Sequence, residues 1–349
     1  MSSFYKLSIK DIRRETPSAV SISFHISPEL MPFYQFKSGQ YVTLKLTLDG
    51  QEIRRAYSIS SSPESGEMRV AVKAVKHGLF SNFANKELKV GQVLEVGIPE
   101  GKFGIDIHPE KQRNLMAFAA GSGITPIFSI LQDVLNQEPK SSFVLVYGNK
   151  TPEETIFYEA LNELQKKYLG RFFVHYVFSQ TKVEGEQFGR IEKPIVNYFT
   201  KNKHKEIEFS KYLLCGPEPM INAVSNTLKE QNVAEKDIKF ELFTTSSDTK
   251  DIAQKVGHSK ITILLDGDET TFEMSEKQTI LEAALKHGLD APYSCQGGIC
   301  SSCLGRVTQG SAEMKKNSIL TDGEIAEGLV LTCQAHATSE TIFVDYDDV

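Results

Sequence analysis

The stretch PYSCQGGICSSCLGRV (292–307), with LTCQ (331–334) after it, sets Cys295, Cys300, Cys303 and Cys333 at the spacing C-x4-C-x2-C…C, with 29 residues before the last cysteine. This is the plant-type arrangement for a [2Fe–2S] cluster, in which four thiolates hold two irons and the loop supplies amide donors to the sulfurs. Gly297 and Gly298 are expected to let that loop close tightly without a Cβ clash. Zinc sites favour C-x2-C pairs, and here only Cys300 and Cys303 form one. Disulfide frameworks belong to short secreted chains, whereas this one has 349 residues. The module is expected to carry single electrons.

The residues before the cysteines agree with that reading. ITILLDGDETTFEM (261–274) is two strands joined at Asp266-Gly267, a tight-turn dipeptide. A helix is expected at about Ile280–His287, with Thr279 and Glu282 at capping-box spacing and Gly288 as its left-handed C-terminal residue. Strand, strand, helix and cysteine-rich loop is the order of a β-grasp module of ferredoxin type, assigned to 258–349. That segment holds 6 Lys+Arg against 15 Asp+Glu, a net −9, which leaves +3 for the rest of a chain whose total is −6. Such asymmetry keeps a small domain soluble or steers a partner. Residues 244–257 (TTSSDTKDIAQKVG) lack an apolar periodicity and read as a linker.

Further upstream the texture changes twice. Between 109 and 243, NLMAFAA, FVLVYGN, FFVHYVFS, KYLLCG and IKFELF are buried-strand runs separated by helical segments, the pattern of an α/β domain with a parallel sheet. Between 1 and 108, six short β-rich runs from YKLSIKDI to VLEVGI, parted by Gly, Pro, Asp and Ser turns, predict an antiparallel β-barrel. The expected fold class is therefore multidomain.

Three motifs carry the chemistry. GSGITP (121–126) lies between a strand and a helix, where Gly121 and Gly123 let the backbone approach a pyrophosphate and the helix N-terminus meets its charge. LLCGPEPM (213–220) puts Cys215, Gly216 and Pro217 at the end of another strand, on the edge where open α/β sheets bind ligands. In the barrel, Arg54-Arg55-Ala56-Tyr57-Ser58 offers a cation for a phosphate, an aromatic for a flat ring and a hydroxyl donor, the groups a flavin needs. Each has a plainer reading: a glycine-rich turn without a ligand, a small buried cysteine at a strand end, an exposed strand face.

In this order the motifs resemble the ferredoxin–NADP reductase superfamily over essentially the whole chain, and the added C-terminal module resembles the reductase component of a bacterial multicomponent oxygenase. The resemblance implies FAD on the barrel, with Arg55 at its phosphate, Tyr57 on its ring system and Ser58 near the reactive nitrogen. It further implies that Lys73, Gly78 and Ser81 in VAVKAVKHGLFSNF (70–83) serve cofactor binding, Gly78 and Ser81 as a second phosphate-binding turn. Gly121, Gly123, Thr125, Gly216 and Pro217 would form the nicotinamide-nucleotide site, Cys215 and Ser58 would orient the reacting rings, and Phe243 would lie against the flavin. Lys150, Ser179 and Lys182 stand at strand ends without the acidic residue that commonly binds the ribose of NADH, so NADPH is expected over NADH. The implied function is electron transfer from NAD(P)H through FAD and the cluster to an oxygenase.

A second class of function remains open on the residues alone, an iron–sulfur redox sensor whose upstream domains only bind nucleotides. No apolar leader and no run of eighteen apolar residues is present, so a cytoplasmic protein without a membrane partner is expected. The net acidity makes nucleic acid an improbable ligand. His77 and His108 read as surface turn residues.

Overall fold

The computed structural model describes residues 4–48, 50–244, 257–275 and 277–349. Most of the expected linker lies outside these. The chain divides into two compact units, Phe4–Ile53 with Tyr57–Thr244, and a second that takes in the C-terminal residues to Val349.

The first unit opens with strands β1 (Phe4–Thr16), β2 (Ala19–His25), β3 (Tyr41–Leu48), β4 (Gln51–Ser58), β5 (Arg69–Lys73) and β6 (Val93–Gly97). They form one sheet in the order β4-β3-β6-β1-β2-β5. An antiparallel bridge between Ile59 and Val70 joins its two ends, so the expected barrel closes and leaves no long open edge. Alternation explains its core: Val20, Ile22 and Phe24 of β2 meet Leu7, Ile9, Val70, Val72 and Val96. The helix α1 (Leu79–Lys86) follows β5.

The parallel sheet is built from β7 (Asn114–Ala120), α2 (Ile124–Gln137), β8 (Ser142–Asn149), α3 (Tyr158–Lys167), β9 (Phe172–Phe178), β10 (Gln187–Phe188), α4 (Lys193–Asn197), β11 (Lys211–Pro217), α5 (Glu218–Glu230) and β12 (Ile238–Thr244). Its order is β10-β9-β8-β7-β11-β12. The chain grows outward from β7 on one side, then returns to place β11 on the other. The crevice above β7 and β11 is thus the topological switch point, where the turns from both glycine motifs meet. Full burial of Phe118, Phe143, Tyr147 and Phe178 stabilises each strand by about 1.5–3 kcal/mol per side chain.

Polar bonds cross from barrel to sheet within this unit. Ser38 Oγ donates to Asp133 Oδ2 at 2.7 Å, Ser129 Oγ to the Ser61 carbonyl at 2.6 Å, and Lys239 Nζ to the Gly104 carbonyl at 2.6 Å. Ser38, Asp133 and Ser129 are buried, so these bonds have no water to replace them. His77 and His108 behave as turn residues: His77 is exposed with φ 61°, and the His108 N–H donates to Glu138 Oε1 at 2.9 Å.

The second unit pairs β13 (His258–Leu265) with β14 (Asp268–Ser275), followed by α6 (Ile280–Lys286), β15 (Leu304–Gln309), β16 (Ala312–Met314), α7 (Asp322–Ala326), β17 (Leu329–Leu331), β18 (Ala335–Ala337) and β19 (Thr341–Asp345). The five-stranded sheet runs β14-β13-β19-β15-β17, with β13 and β19 parallel and α6 packed against its core, a β-grasp arrangement. Asp266 (φ 57°) and Gly267 (φ 82°) both take the left-handed conformation that a two-residue hairpin turn requires. The capping box forms as its spacing implies, with Glu282 N donating to Thr279 Oγ1 at 3.1 Å and Thr279 N to Glu282 Oε2 at 2.9 Å. Gly288 has φ 79°.

Candidate functional site

At the switch point two main-chain segments touch. A Cβ on Gly123 would lie 2.2 Å from the Cys215 carbonyl oxygen, so only glycine fits there. Gly216, at φ 154°, would bring a Cβ to 2.9 Å from Met220 Cε and 3.2 Å from the Ala120 nitrogen. Gly121 takes φ 55° and opens the turn that leads into α2. Above these glycines lies a cavity of about 480 Å³.

Of the residues expected to bind a cofactor, Gly121, Lys150, Ser179, Gly216 and Pro217 from the nucleotide motifs and strand ends, Lys73 from the barrel and Phe243, expected against the flavin, all line this cavity. Gly123, Thr125 and Cys215 do not. They pack beneath it, with Thr125 Oγ1 donating to the Ser122 carbonyl at 3.1 Å. Lys182 lies elsewhere, its Nζ 5.5 Å from the ring centre of Phe188. Sequence reasoning missed Arg190 and Glu192, which also line the cavity. They come from the loop before α4, where no glycine motif or strand end marks them. Burial lowers the pKa of Lys73, with Glu154 opposing and Lys150 assisting that shift.

The strand that carries the Arg55–Ser58 motif is tied to the parallel sheet. Ser58, buried at the end of β4, donates from Oγ to Glu241 Oε2 on β12 at 3.1 Å. Glu241 keeps some solvent access, yet its carboxyl is closely surrounded, and that burial pushes it up to about 8 while the Ser58 bond pulls the other way. It stands two residues before Phe243 and is the clearest functional residue that sequence reasoning passed over. A glutamate inside the buried-strand run IKFELF was the available signal. Cys215 is wholly buried, and burial, with Glu241 adding to it, holds its thiol well above the usual range. It is a neutral group and no nucleophile.

Tyr57 packs on Phe80 with ring centres 5.5 Å apart, and Arg55 is exposed two residues earlier. Gly78 precedes α1, and a Cβ there would lie 2.3 Å from Ser81 Oγ and 2.5 Å from Val75 Cγ2. No side chain caps α1, so its first N–H groups are available to an anion. These residues fit a flavin with a phosphate arm.

All five cysteines are free thiols, and four of them, Cys295, Cys300, Cys303 and Cys333, lie in the second unit. Cys300 Sγ donates to Cys295 Sγ at 3.1 Å, and Cys303 is hydrogen-bonded to Cys333. The thiols therefore stand as two pairs. Among the described residues no three Cys, His, Asp or Glu side chains converge as they would round one ion. Four cysteines at this spacing are the ligand set of a plant-type [2Fe–2S] cluster. The Cys300 thiol and the N–H groups of Gly297, Ile299 and Cys300 draw the Cys295 thiol down to about 6. In the loop, the hydroxyl of Ser294 is buried without a partner, as a donor awaiting a sulfur would be. Of the two loop glycines only Gly298 has a positive φ, 71°; Gln296 takes the other left-handed position at 51°. The space explains Gly298, where a Cβ would lie 3.0 Å from the Lys316 carbonyl.

Comparison with known proteins finds the same three parts. Family models described as an oxidoreductase FAD-binding domain, an oxidoreductase NAD-binding domain and a 2Fe-2S iron-sulfur cluster binding domain match residues 8–105, 118–226 and 263–338. Together they define a flavin- and iron–sulfur-dependent NAD(P)H oxidoreductase. The chain is 35% identical, over 99% of its length and 99% of the relative's, to a component of the 1,2-phenylacetyl-CoA epoxidase of Escherichia coli (strain K12). It is 30% identical to the ferredoxin reductase component of 3-ketosteroid-9-alpha-monooxygenase from Rhodococcus rhodochrous, over 97% and 96% of the two chains. Phthalate dioxygenase reductase shares the fold, with a TM-score of 0.63 at 22% identity and 98% coverage of both chains. The chain belongs to the family of oxygenase reductases that includes the phenylacetyl-CoA epoxidase component.

Two outcomes follow from this geometry. Cys300→Ser should lose iron and the visible cluster bands while keeping flavin and NAD(P)H:ferricyanide turnover, and Cys215→Ser should keep its iron; iron analysis of both variants checks the ligand set. Glu241 is neutral below about pH 8 and gains charge above it, so anaerobic flavin reduction followed by stopped flow should slow as pH rises through that value. Glu241→Gln should flatten the profile.

Proposed function

We propose that this reductase draws electrons from NADPH and delivers them to the oxygenase component of a phenylacetyl-CoA epoxidase. The observation that carries the chemistry is the Ser58–Glu241 hydrogen bond, which ties the barrel strand of the Arg55–Ser58 motif to β12, whose Phe243 lines the dinucleotide cavity. When bound, FAD accepts a hydride and the cluster carries electrons onward singly.

The chain's own groups position these events. Arg55 and the Gly78–Ser81 turn hold the flavin phosphates, and Tyr57 supports the ring. Gly121 and Gly216 let the dinucleotide settle against bare backbone, and Phe243 lines the same cavity as an aromatic for a flat ring. Ser58 and Glu241 fix a donor and a neutral carboxyl beside the reacting rings, and the buried Cys215 sets the floor. Hydride transfer needs no proton removed from the donor, so these groups orient and exclude water. The cavity's cations, Lys73, Lys150 and Arg190, outnumber its one carboxylate, Glu192, which supports NADPH with its 2′-phosphate over NADH. Full-length similarity to a component of that epoxidase, together with the runs RRAYSIS, VAVKAV, AAGSGITP, VYGN, CGPEPM and LTCQA, supports the choice of acceptor.

The ratio of kcat/KM for NADPH over NADH should exceed one and fall in Lys150→Ala; a ratio below one in the wild type would reverse the cofactor preference. With a purified phenylacetyl-CoA epoxidase oxygenase component, NADPH and phenylacetyl-CoA, the reductase should support epoxide formation at a rate set by its concentration. NADPH:ferricyanide turnover without any coupled epoxidation would assign it to a different oxygenase.

A further inference from the structure

The face of the parallel sheet opposite α2 and α3 carries an imidazole pair that the hydride path does not use. Along β9, Phe172, Val174, Tyr176 and Phe178 join the core shared with α2, so His175 lies on the other face. Covering that face, the chain from Gly189 to His204 forms one strap. At its start Gly189–Glu192 line the dinucleotide cavity, and the buried Ile191 has its Cδ1 3.1 Å from where a Cβ on Gly148 would lie. After α4, Tyr198–Lys203 form a π-helical turn in which the His204 N–H donates to the Phe199 carbonyl five residues back. Such widened turns are rare and recur at functional positions. This one ends with His204 Nε2 2.8 Å from His175 Nε2.

A contact of that length is a hydrogen bond between a ring N–H and a ring lone pair, so it requires one neutral imidazole and is destroyed when both are protonated. Among the described residues no carboxylate shifts either ring toward its charged form. His175 stacks on Phe199 with centres 4.8 Å apart, and His204 lies against Phe173 and Phe209 at 5.8 and 6.4 Å. Lys203, on the turn itself, repels charge on both rings. Glu186, after β9, faces Lys203, and the Tyr212 phenol of β11, raised by burial, stays neutral. Burial, with His204 and Lys203, lowers His175 to about 3, and burial followed by Lys203 lowers His204.

We propose that the His175–His204 pair is an acid-sensitive latch that fixes the Gly189–His204 strap, and with it one wall of the dinucleotide cavity, so that protonation of the pair releases the strap and weakens dinucleotide binding. The sign follows from the two forms. The latched rings resist protons and the released rings take them up near the ordinary imidazole value of about 6.5, so the latch holds fully above that pH and weakens below it. Each released imidazole favours opening by up to about tenfold per pH unit below that value. By reciprocity, a dinucleotide that needs the wall in place opposes proton uptake.

ADP-ribose tests this, because it fills the adenosine side of the cavity and lacks the titrating 2′-phosphate of NADPH. Calorimetry on the holoprotein between pH 7.5 and 5.5 should show its dissociation constant rising several-fold. His175→Phe/His204→Phe, which keeps the aromatic packing and cannot take up protons, should show a flat profile. In parallel, nitrogen-detected NMR of the wild type should show two imidazoles that remain unprotonated through pH 6.5 and change only where ADP-ribose binding weakens. Equal pH slopes in wild type and double variant, or ordinary titration of both rings near 6.5 with binding unchanged, would overturn the latch. Should the double variant fail to fold, the NMR comparison decides alone. No ADP-ribose binding even at pH 7.5 would instead overturn the assignment of the cavity, and the latch with it.

Discussion

Where Gly123 meets the Cys215–Gly216 peptide there is no room for a single added carbon, and the rest of the reductase site depends on that closeness. Because the two turns touch through bare backbone, they offer main chain rather than side chains to a pyrophosphate between β7 and β11. Cys215 is locked in the core by the same approach, and the loop that follows it leads to Met220 on the cavity wall. A larger residue at either glycine would push apart the two strands that define the switch point.

Much of this was readable in the chain because it was written in local chemistry. Asp266-Gly267, Thr279 with Glu282, and Gly288 each need a particular backbone conformation or cap, and each adopts it. The cysteine spacing pointed to the four thiols that the fold brings into one module, since a cluster's geometry is carried in the sequence separation of its ligands. Glycine turns and strand ends pointed to the cavity, and Gly121, Lys150, Ser179, Gly216 and Pro217, expected at the nucleotide, line it. What escaped was fixed by long-range packing. Glu241 becomes a functional group only because β12 lies beside β11 and its carboxyl meets Ser58, 183 positions away in the chain. Arg190 and Glu192 belong to a loop without a motif. Gly297 and Gly298 were both expected to spare the loop a Cβ clash, but only Gly298 stands close to other backbone, the Lys316 carbonyl, and the non-glycine Gln296 adopts a left-handed conformation beside it, which residue type alone does not announce.

Asp133 and Glu241, two carboxyl groups of the first unit whose surroundings raise their pKa, show how position sorts one chemistry into two uses. Asp133 receives bonds from Ser38 and Gln137, so its oxygens are occupied and its role is architectural. Glu241 has a single hydroxyl partner, which leaves it able to change protonation. Burial raises both; the number of donors separates them.

The buried bonds between barrel and parallel sheet bear on how the protein comes apart. Ser38, Ser129 and Asp133 have no solvent to turn to if the seam opens partway, so a half-separated state leaves several polar groups stranded at about 1–3 kcal/mol each. Partial opening is thereby made scarcer than complete unfolding, and the flavin barrel and the nucleotide sheet are bound into one cooperative block despite their different architectures. Neither half would persist as a proteolytic core, and a lesion in one would be felt as lost protection of amide hydrogens in the other.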